Sequence, residues 1–213
     1  MTDHARAIPR LRAALTKTSA PADRLVYAHV LGILGDPSGA EDLRKAIRGK
    51  KWDAGWNFKG MSQFDRSVSQ MDSYLIALGR SRAASALPET LALAEKLAPD
   101  DAYSHYRAVA LALEGFGDSS AAPALAKLLS AKGVGGKYLR YGKVVPPVPN
   151  HDNAAGNKER TGFLKELCLA RALYRLGDVD GLGRRTLEAY AADPRRALAN
   201  HAQAVLEERT HVK

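Results

Sequence analysis

The chain has 213 residues, of which 46% are hydrophobic and 26% are charged, a globular composition that at this length excludes global disorder. Its net charge of +9 permits an acidic partner, whereas its single cysteine excludes an intramolecular disulfide and any multi-cysteine metal site. No apolar run is long enough to span a bilayer and the polar start lacks a secretory signal, so we expect a soluble protein, cytoplasmic by default.

Ten helices are predicted, and no segment shows the alternation of a strand. A capping helix is expected over residues 3–17, and a second one over 194–208. Between them, apolar residues at spacings of three and four predict four helical pairs. The pairs are 22–34 with 38–47, 70–78 with 83–97, 102–116 with 119–129, and 162–176 with 179–191. In the first helix of the first pair, Val26, Val30 and Ile33 are predicted to form a buried stripe.

A three-residue motif with a central glycine recurs at the end of the first helix of each pair. The glycines are Gly35, Gly79, Gly117 and Gly177. Glycine here can take the left-handed conformation that ends a helix, so we predict a tight corner at each of them. Their spacing, corrected for a loop in the last interval, is close to the ~40–47-residue period of HEAT repeats. The sequence therefore predicts an all-α, α-α superhelix, a HEAT-like solenoid forming a single domain over 1–213 with core repeats at about 22–208.

Two insertions, at about 49–69 and 132–161, interrupt the predicted array. The first holds both tryptophans, and its aromatic residues either fold over the repeats as a packed plug or form a contact surface for a partner. The second carries basic residues and tyrosines. These residues either bind the phosphates and stacked bases of a nucleic acid or form a solvated loop. The candidate contact residues are Trp52, Trp56, Phe58, Phe64, Arg66, Tyr138 and Arg140.

No catalytic, cofactor-binding or metal-binding set is predicted. The segment Gly133–Lys137 lacks the spacing of a phosphate-binding loop, and no strand precedes it. The histidines show no pair four residues apart that would present two imidazoles to one metal. Cys168 lies in an apolar run, which is typical of a buried thiol rather than a nucleophile.

Residues 55–64 read Gly-Trp-Asn-Phe-Lys-Gly-Met-Ser-Gln-Phe, and with 71–80 they resemble the helical-repeat region at the carboxyl end of a family of bacterial FAD-dependent oxidoreductases. Similar stretches at 104–118 and 163–178 extend the resemblance to about residues 23–207. In those enzymes a separate amino-terminal domain holds the flavin, and this chain has no strand–GxGxxG–helix unit for it. The resemblance implies a repeat module that accompanies or docks to an oxidoreductase, with no flavin-contacting residue of its own.

Three functions follow from these observations. The first is a non-catalytic interaction module that engages a protein partner, a flavoprotein oxidoreductase domain or subunit. The second is a DNA-binding enzyme resembling the alkylpurine DNA glycosylases, which are also HEAT-like and basic; Trp52, Asp53 and Trp56 would then supply the aromatic rings and the carboxylate. The third, lyase or chaperone action on a bilin, follows only from the general similarity of HEAT-like repeats to phycobilin lyases.

Overall fold

The computed structural model describes residues 4–56, 69–139 and 154–208, and these residues form an all-α fold of paired helices without a strand. The helices are α1 (His4–Lys17), α2 (Pro21–Ile33), α3 (Ala40–Ile47), α4 (Gln70–Arg80), α5 (Leu87–Ala94), α6 (Tyr103–Phe116), α7 (Ala122–Ser130), α8 (Ala154–Arg175), α9 (Leu182–Ala191) and α10 (Arg196–Glu208). Each predicted helix therefore has an observed counterpart. Pro88 and Pro123 stand in the first turns of α5 and α7, where a missing N–H costs nothing.

The helices form two layers. The first helices of the pairs, α2, α4, α6 and α8, pack side by side, and α1 covers α2 at one end of the row. The second helices lie against them, with α5 contacting both α6 and α7, and α10 closes the other end against α8 and α9. Leucines from both layers fill the space between them, and the fully buried ones include Leu43, Leu75, Leu113, Leu125, Leu173 and Leu187.

The corners between the helices of a pair lie together along one side, which we call the corner edge. Each second helix is preceded there by a single 3₁₀ turn. Asp36 Oδ1 accepts a hydrogen bond from Ser38 N at 2.9 Å, and Asp118 Oδ1 accepts one from Ser120 N at 2.9 Å. These carboxylates satisfy amides at the start of the turn that would otherwise lack a partner. Gly35, Gly117 and Gly177 take the predicted positive φ.

The prediction for Gly79 was wrong, because this residue lies within α4 and forms no corner. A Cβ at Gly79 would come within 2.5 Å of Ala112 Cα, so the glycine lets α4 and α6 approach backbone to backbone. The corner after α4 is formed three residues later by Arg82, whose φ is +54°. A sequence pattern does not distinguish a glycine that allows helix contact from one that ends a helix.

The buried stripe predicted on α2 was also wrong for its valines. Val26 is 60% exposed and Val30 is 37% exposed, whereas the buried face of α2 consists of Ala28, Leu31 and Gly32. A Cβ at Gly32 would lie 2.9 Å from the Ala77 Cβ of α4. Because α2 approaches α4 this closely, the small residues face inward and the branched valines face solvent.

The second insertion is shorter than predicted. Helix α8 begins at Ala154, inside the segment 132–161 that was assigned to a loop. Residues 154–161 lack a clear apolar stripe, but they extend a helix that is already nucleated by its packed part, and propagation costs far less than nucleation. Both insertions begin on the side opposite the corners, which we call the insertion edge. This edge consists of the carboxyl ends of α3, α5 and α7 and the amino ends of α4, α6 and α8.

Candidate functional site

Trp52 packs inward at the insertion edge. Its indole stacks on the ring of His105 with centroids 4.4 Å apart, and its Nε1–H donates to Leu93 O at 3.2 Å. The side chain is partly buried against the core. An indole that is covered on its ring face and satisfied at its N–H behaves as a structural plug, so the geometry supports that interpretation for Trp52.

The ring beneath Trp52 belongs to a buried histidine–aspartate pair that joins α4 to α6. His105 Nδ1 lies 2.7 Å from Asp72 Oδ1, and the two side chains are 4% and 3% exposed. One hydrogen bond between these two atoms links the side chains. Gly55 covers the opposite edge of the ring, since a Cβ there would lie 2.6 Å from His105 Nε2. Asp72 Oδ2 is buried and has no hydrogen-bond partner in the described part of the chain.

Asp53 caps the amino end of α4 from outside the helix. Its Oδ1 accepts from Ser69 Oγ, and its Oδ2 accepts from Gln70 N at 2.8 Å. Ser69 Oγ in turn accepts from Asp72 N at 3.0 Å, the usual bond of an N-cap serine. Both oxygens of Asp53 are therefore engaged in a cap, which counts against the charge-stabilising role that the glycosylase hypothesis gives to this carboxylate.

Trp56 is held by its main chain at the amino end of α6. Its N–H donates to Ser104 Oγ at 3.0 Å, and its carbonyl oxygen accepts from Ser104 N at 3.1 Å. No side chain caps α6 at its N-cap residue, so Trp56 supplies that partner. Its indole meets the ring of Tyr103 edge-on with centroids 5.4 Å apart, and both residues keep part of their surface exposed. The result is a fixed aromatic pair at the insertion edge.

The second insertion is anchored by Glu166, a buried carboxylate of α8. Its Oε1 accepts from Gly136 N at 2.6 Å, and its Oε2 accepts from Lys137 N at 2.7 Å and from Tyr190 Oη at 2.6 Å. Burial raises the pKa of Tyr190, and the neighbouring Glu166 raises it further, so the phenol stays protonated and donates.

Asp193, between α9 and α10, continues this anchor. Its Oδ2 accepts from Leu139 N at 2.7 Å and from Arg195 Nη2 at 2.7 Å. Burial alone would raise the pKa of Asp193, but hydrogen bonds from Arg195 and Leu139 outweigh it and lower the pKa. Tyr138 lies in the chain between Lys137, which is bonded to Glu166, and Leu139, which is bonded to Asp193. Its ring meets that of Tyr190 edge-on, with centroids 6.1 Å apart. Tyr138 therefore packs one side of its ring against another ring of the protein, as Trp52 does.

Two chemically notable side chains of α8 are buried in structural contacts. Lys165 Nζ donates to Pro99 O at 2.9 Å and to Asp101 O, and it lies 4.8 Å from the centre of the Tyr106 ring. Burial lowers the pKa of Lys165. Cys168 is buried as predicted, and burial raises the pKa of its thiol to about 12, so it is not a nucleophile at neutral pH.

The structure thus brings together Trp52 and Trp56 at one anchor and places Tyr138 at the other. Phe58, Phe64, Arg66 and Arg140 lie outside the described residues. Sequence reasoning missed the buried groups that hold the insertions, namely Asp72, His105, Glu166 and Asp193. The sequence offers one indication of such a group: Glu166 is a charged residue inside an apolar helical segment, where a buried carboxylate needs partners. Among the described residues, no group of three or more His, Cys, Asp or Glu could hold a metal ion, and no helix is both long and apolar enough to cross a bilayer.

Comparison with known families places a helical-repeat match in the middle of the chain. Residues 106–131 match the model of the PBS lyase HEAT-like repeat, and this segment spans most of α6, the corner and α7. No curated protein and no solved structure matches the chain. The matched helical pair and the all-α architecture together identify a HEAT-like helical-repeat fold.

Proposed function

We propose that this chain is a non-catalytic helical-repeat module whose insertion edge docks on a protein partner, a flavin-dependent oxidoreductase domain or subunit. The observation that carries the proposal is the partly exposed pair of Trp56 and Tyr103, in which hydrogen bonds between the main chain of Trp56 and Ser104 hold the tryptophan in place. Tryptophan and tyrosine dominate binding energy at many interfaces, and a pair that is already ordered loses little entropy on binding.

The repeat architecture supports the same function. Stacked helical pairs bury a continuous core and leave a long surface along each layer and each edge, which suits the array at about 22–208 to act as one docking unit. The link to an oxidoreductase rests on the sequence resemblance at residues 55–80. The glycosylase alternative finds less support, because Asp53 caps α4 and Trp52 is packed on His105.

Affinity capture with the whole chain tests this proposal. The wild-type protein should retain a partner that carries flavin fluorescence, and mass spectrometry should identify it as an oxidoreductase. Trp56→Ala should lose that partner while its far-ultraviolet circular dichroism stays unchanged. Val26→Ala is the matched control, because Val26 is 60% exposed and lies on α2, away from the insertions. Capture by Trp56→Ala that equals the wild type would refute the proposal, and so would a wild-type chain that elutes alone.

A further inference from the structure

We infer that the insertion edge selects an acidic protein surface, an inference that rests on the proposed function for its site and adds the chemistry of the partner. Six exposed lysines lie at or just beyond the carboxyl ends of α3, α5 and α7, and we call them the lysine row. The lysine row consists of Lys45, Lys50, Lys51, Lys96, Lys127 and Lys132. The ends of three successive second helices therefore carry positive charge at one edge.

The charge of the lysine row is not neutralised within the described part of the chain, since none of its members forms an ion pair there. The nearby arginines behave differently. Arg44 Nη2 and Arg48 Nη2 both bind Glu89 Oε1, at 2.8 Å and 2.9 Å. The carboxylate of Glu89 thus pairs with the arginines that join α3 to α5. The lysines remain available to solvent or to a partner.

Stabilisation of helix dipoles does not account for the whole row. A cation in the last turn of a helix interacts favourably with the free carbonyls, which explains Lys45 and Lys127. Lys50, Lys51 and Lys132, however, lie beyond the helix ends, where this effect has decayed. Helix α9 has no basic residue in its last turn. The excess of positive charge is therefore a property of this stretch of the edge rather than of every second helix.

Two further features make the same stretch suitable for docking. The buried Lys165 adds positive charge beneath it, because its ammonium group is bonded to the carbonyls of Pro99 and Asp101 rather than to a carboxylate. The pair of Trp56 and Tyr103 lies at the amino end of α6, on the same edge. Protein interfaces commonly have an aromatic centre and a polar, solvent-accessible rim, and the exposed lysines would lie in that rim.

The distribution of charge favours an acidic protein over a nucleic acid. Glu95 and Asp100 are exposed at the carboxyl end of α5 and just after it, among the lysines. A continuous phosphate backbone laid along the row would meet both carboxylates, whereas a folded partner can place its own carboxylates opposite the lysines alone.

The test compares two triple variants of equal net charge. Lys51→Glu/Lys96→Glu/Lys132→Glu reverses the row, and Arg10→Glu/Lys17→Glu/Arg80→Glu, the control, reverses exposed cations on α1 and α4 that have no ion pair among the described residues. The probes are a fluorescein-labelled decaglutamate peptide and a labelled DNA duplex. We expect the row variant to bind the peptide about tenfold or more weakly than wild type, the control to change by about twofold or less, and added salt to weaken binding.

Equal losses in the two variants would overturn the inference, because net charge alone would then explain binding. Absence of peptide binding, or tighter binding of the duplex through the same lysines, would overturn it as well. Affinity capture separates this inference from the proposed function. A row variant that retains the natural partner refutes the acidic-surface inference and leaves the proposed function intact. A wild-type chain that binds the peptide through the row but captures no protein refutes the proposed function instead.

Discussion

The corner at Asp118 and the anchors of the insertion edge differ in how far along the chain their hydrogen bonds reach. At the corner edge, Asp118 binds an amide two residues away. At the insertion edge, Asp193 binds the amide of Leu139, 54 residues away, and Lys165 binds the carbonyl of Pro99, 66 residues away. The turn at Asp118 is therefore a local structure, whereas the segments bonded to Asp193 and Lys165 are held in place only when distant helices are packed. Not every corner is local, because Asp36 is also paired with Arg12 of α1, 24 residues away.

The same sites also differ in burial. Glu166 and Asp193 are 2% and 4% exposed, whereas the turn at Asp118 stands near solvent. Removing a buried acceptor leaves its donors without water, and removing an exposed one lets water replace it. We therefore expect substitutions of Glu166 and Asp193 to cost more than substitution of Asp118.

The largest effect is expected for Glu166→Ala. This change leaves Gly136 N, Lys137 N and Tyr190 Oη without their acceptor, and breaking a buried charged network costs about 4 kcal/mol. The matched variant at the other edge is Asp118→Ala, which also removes a carboxylate that caps an amide and should cost about 1 kcal/mol. Urea denaturation measures both. Similar losses in the two variants would show that burial does not separate the edges.

Within the insertion edge, Trp52→Ala should cost more stability than Trp56→Ala. Trp52 is packed against the core and stacked on His105, so its removal opens a cavity and should cost about 3 kcal/mol. Trp56 keeps its main-chain bonds to Ser104 in any variant, and loss of its partly exposed ring should cost about 1 kcal/mol. Thermal denaturation tests this order. A larger loss for Trp56→Ala would make the Trp56–Tyr103 pair part of the packed plug rather than a contact surface.

The anchor at Asp193 should also show a pH dependence. Burial opposes its ionisation, but the bonds from Arg195 and Leu139 bring its folded-state pKa below the unfolded value of about 3.9. The ionised form therefore stabilises the fold fully above about pH 4, and this contribution is lost as the pH falls through the lower folded-state pKa. We expect Asp193→Asn to cost about 2 kcal/mol at pH 7 and the difference from wild type to shrink below about pH 4. Denaturation across a pH series measures it, and a constant difference would mean that the charge of Asp193 contributes nothing.

The same contrast explains what could be predicted from the sequence. The helices and the left-handed glycines at three corners follow from local patterns, and all of them are observed. The anchors of the insertions do not follow from such patterns. Glu166 pairs with main-chain amides 29 and 30 residues away, and the acceptor of Trp52 is a carbonyl oxygen, a group that every residue has. Composition pointed to Trp52 and Trp56 but not to which of the two is packed inward.

The smallest effect concerns Arg82, the one corner that local reasoning misplaced. Its φ of +54° is unfavourable for a residue with a Cβ, whereas Gly35, Gly117 and Gly177 take positive φ at the equivalent corners without that cost. Arg82→Gly should relieve a strain of about 1 kcal/mol, and the added freedom of the unfolded chain should offset about half of this gain. Arg82→Ala keeps the Cβ and should leave stability unchanged, while Gly117→Ala should lower it by about 1 kcal/mol. If Arg82→Gly destabilised the protein instead, the side chain of Arg82 would contribute a stabilising contact there, and this corner would depend on tertiary structure as the insertion edge does.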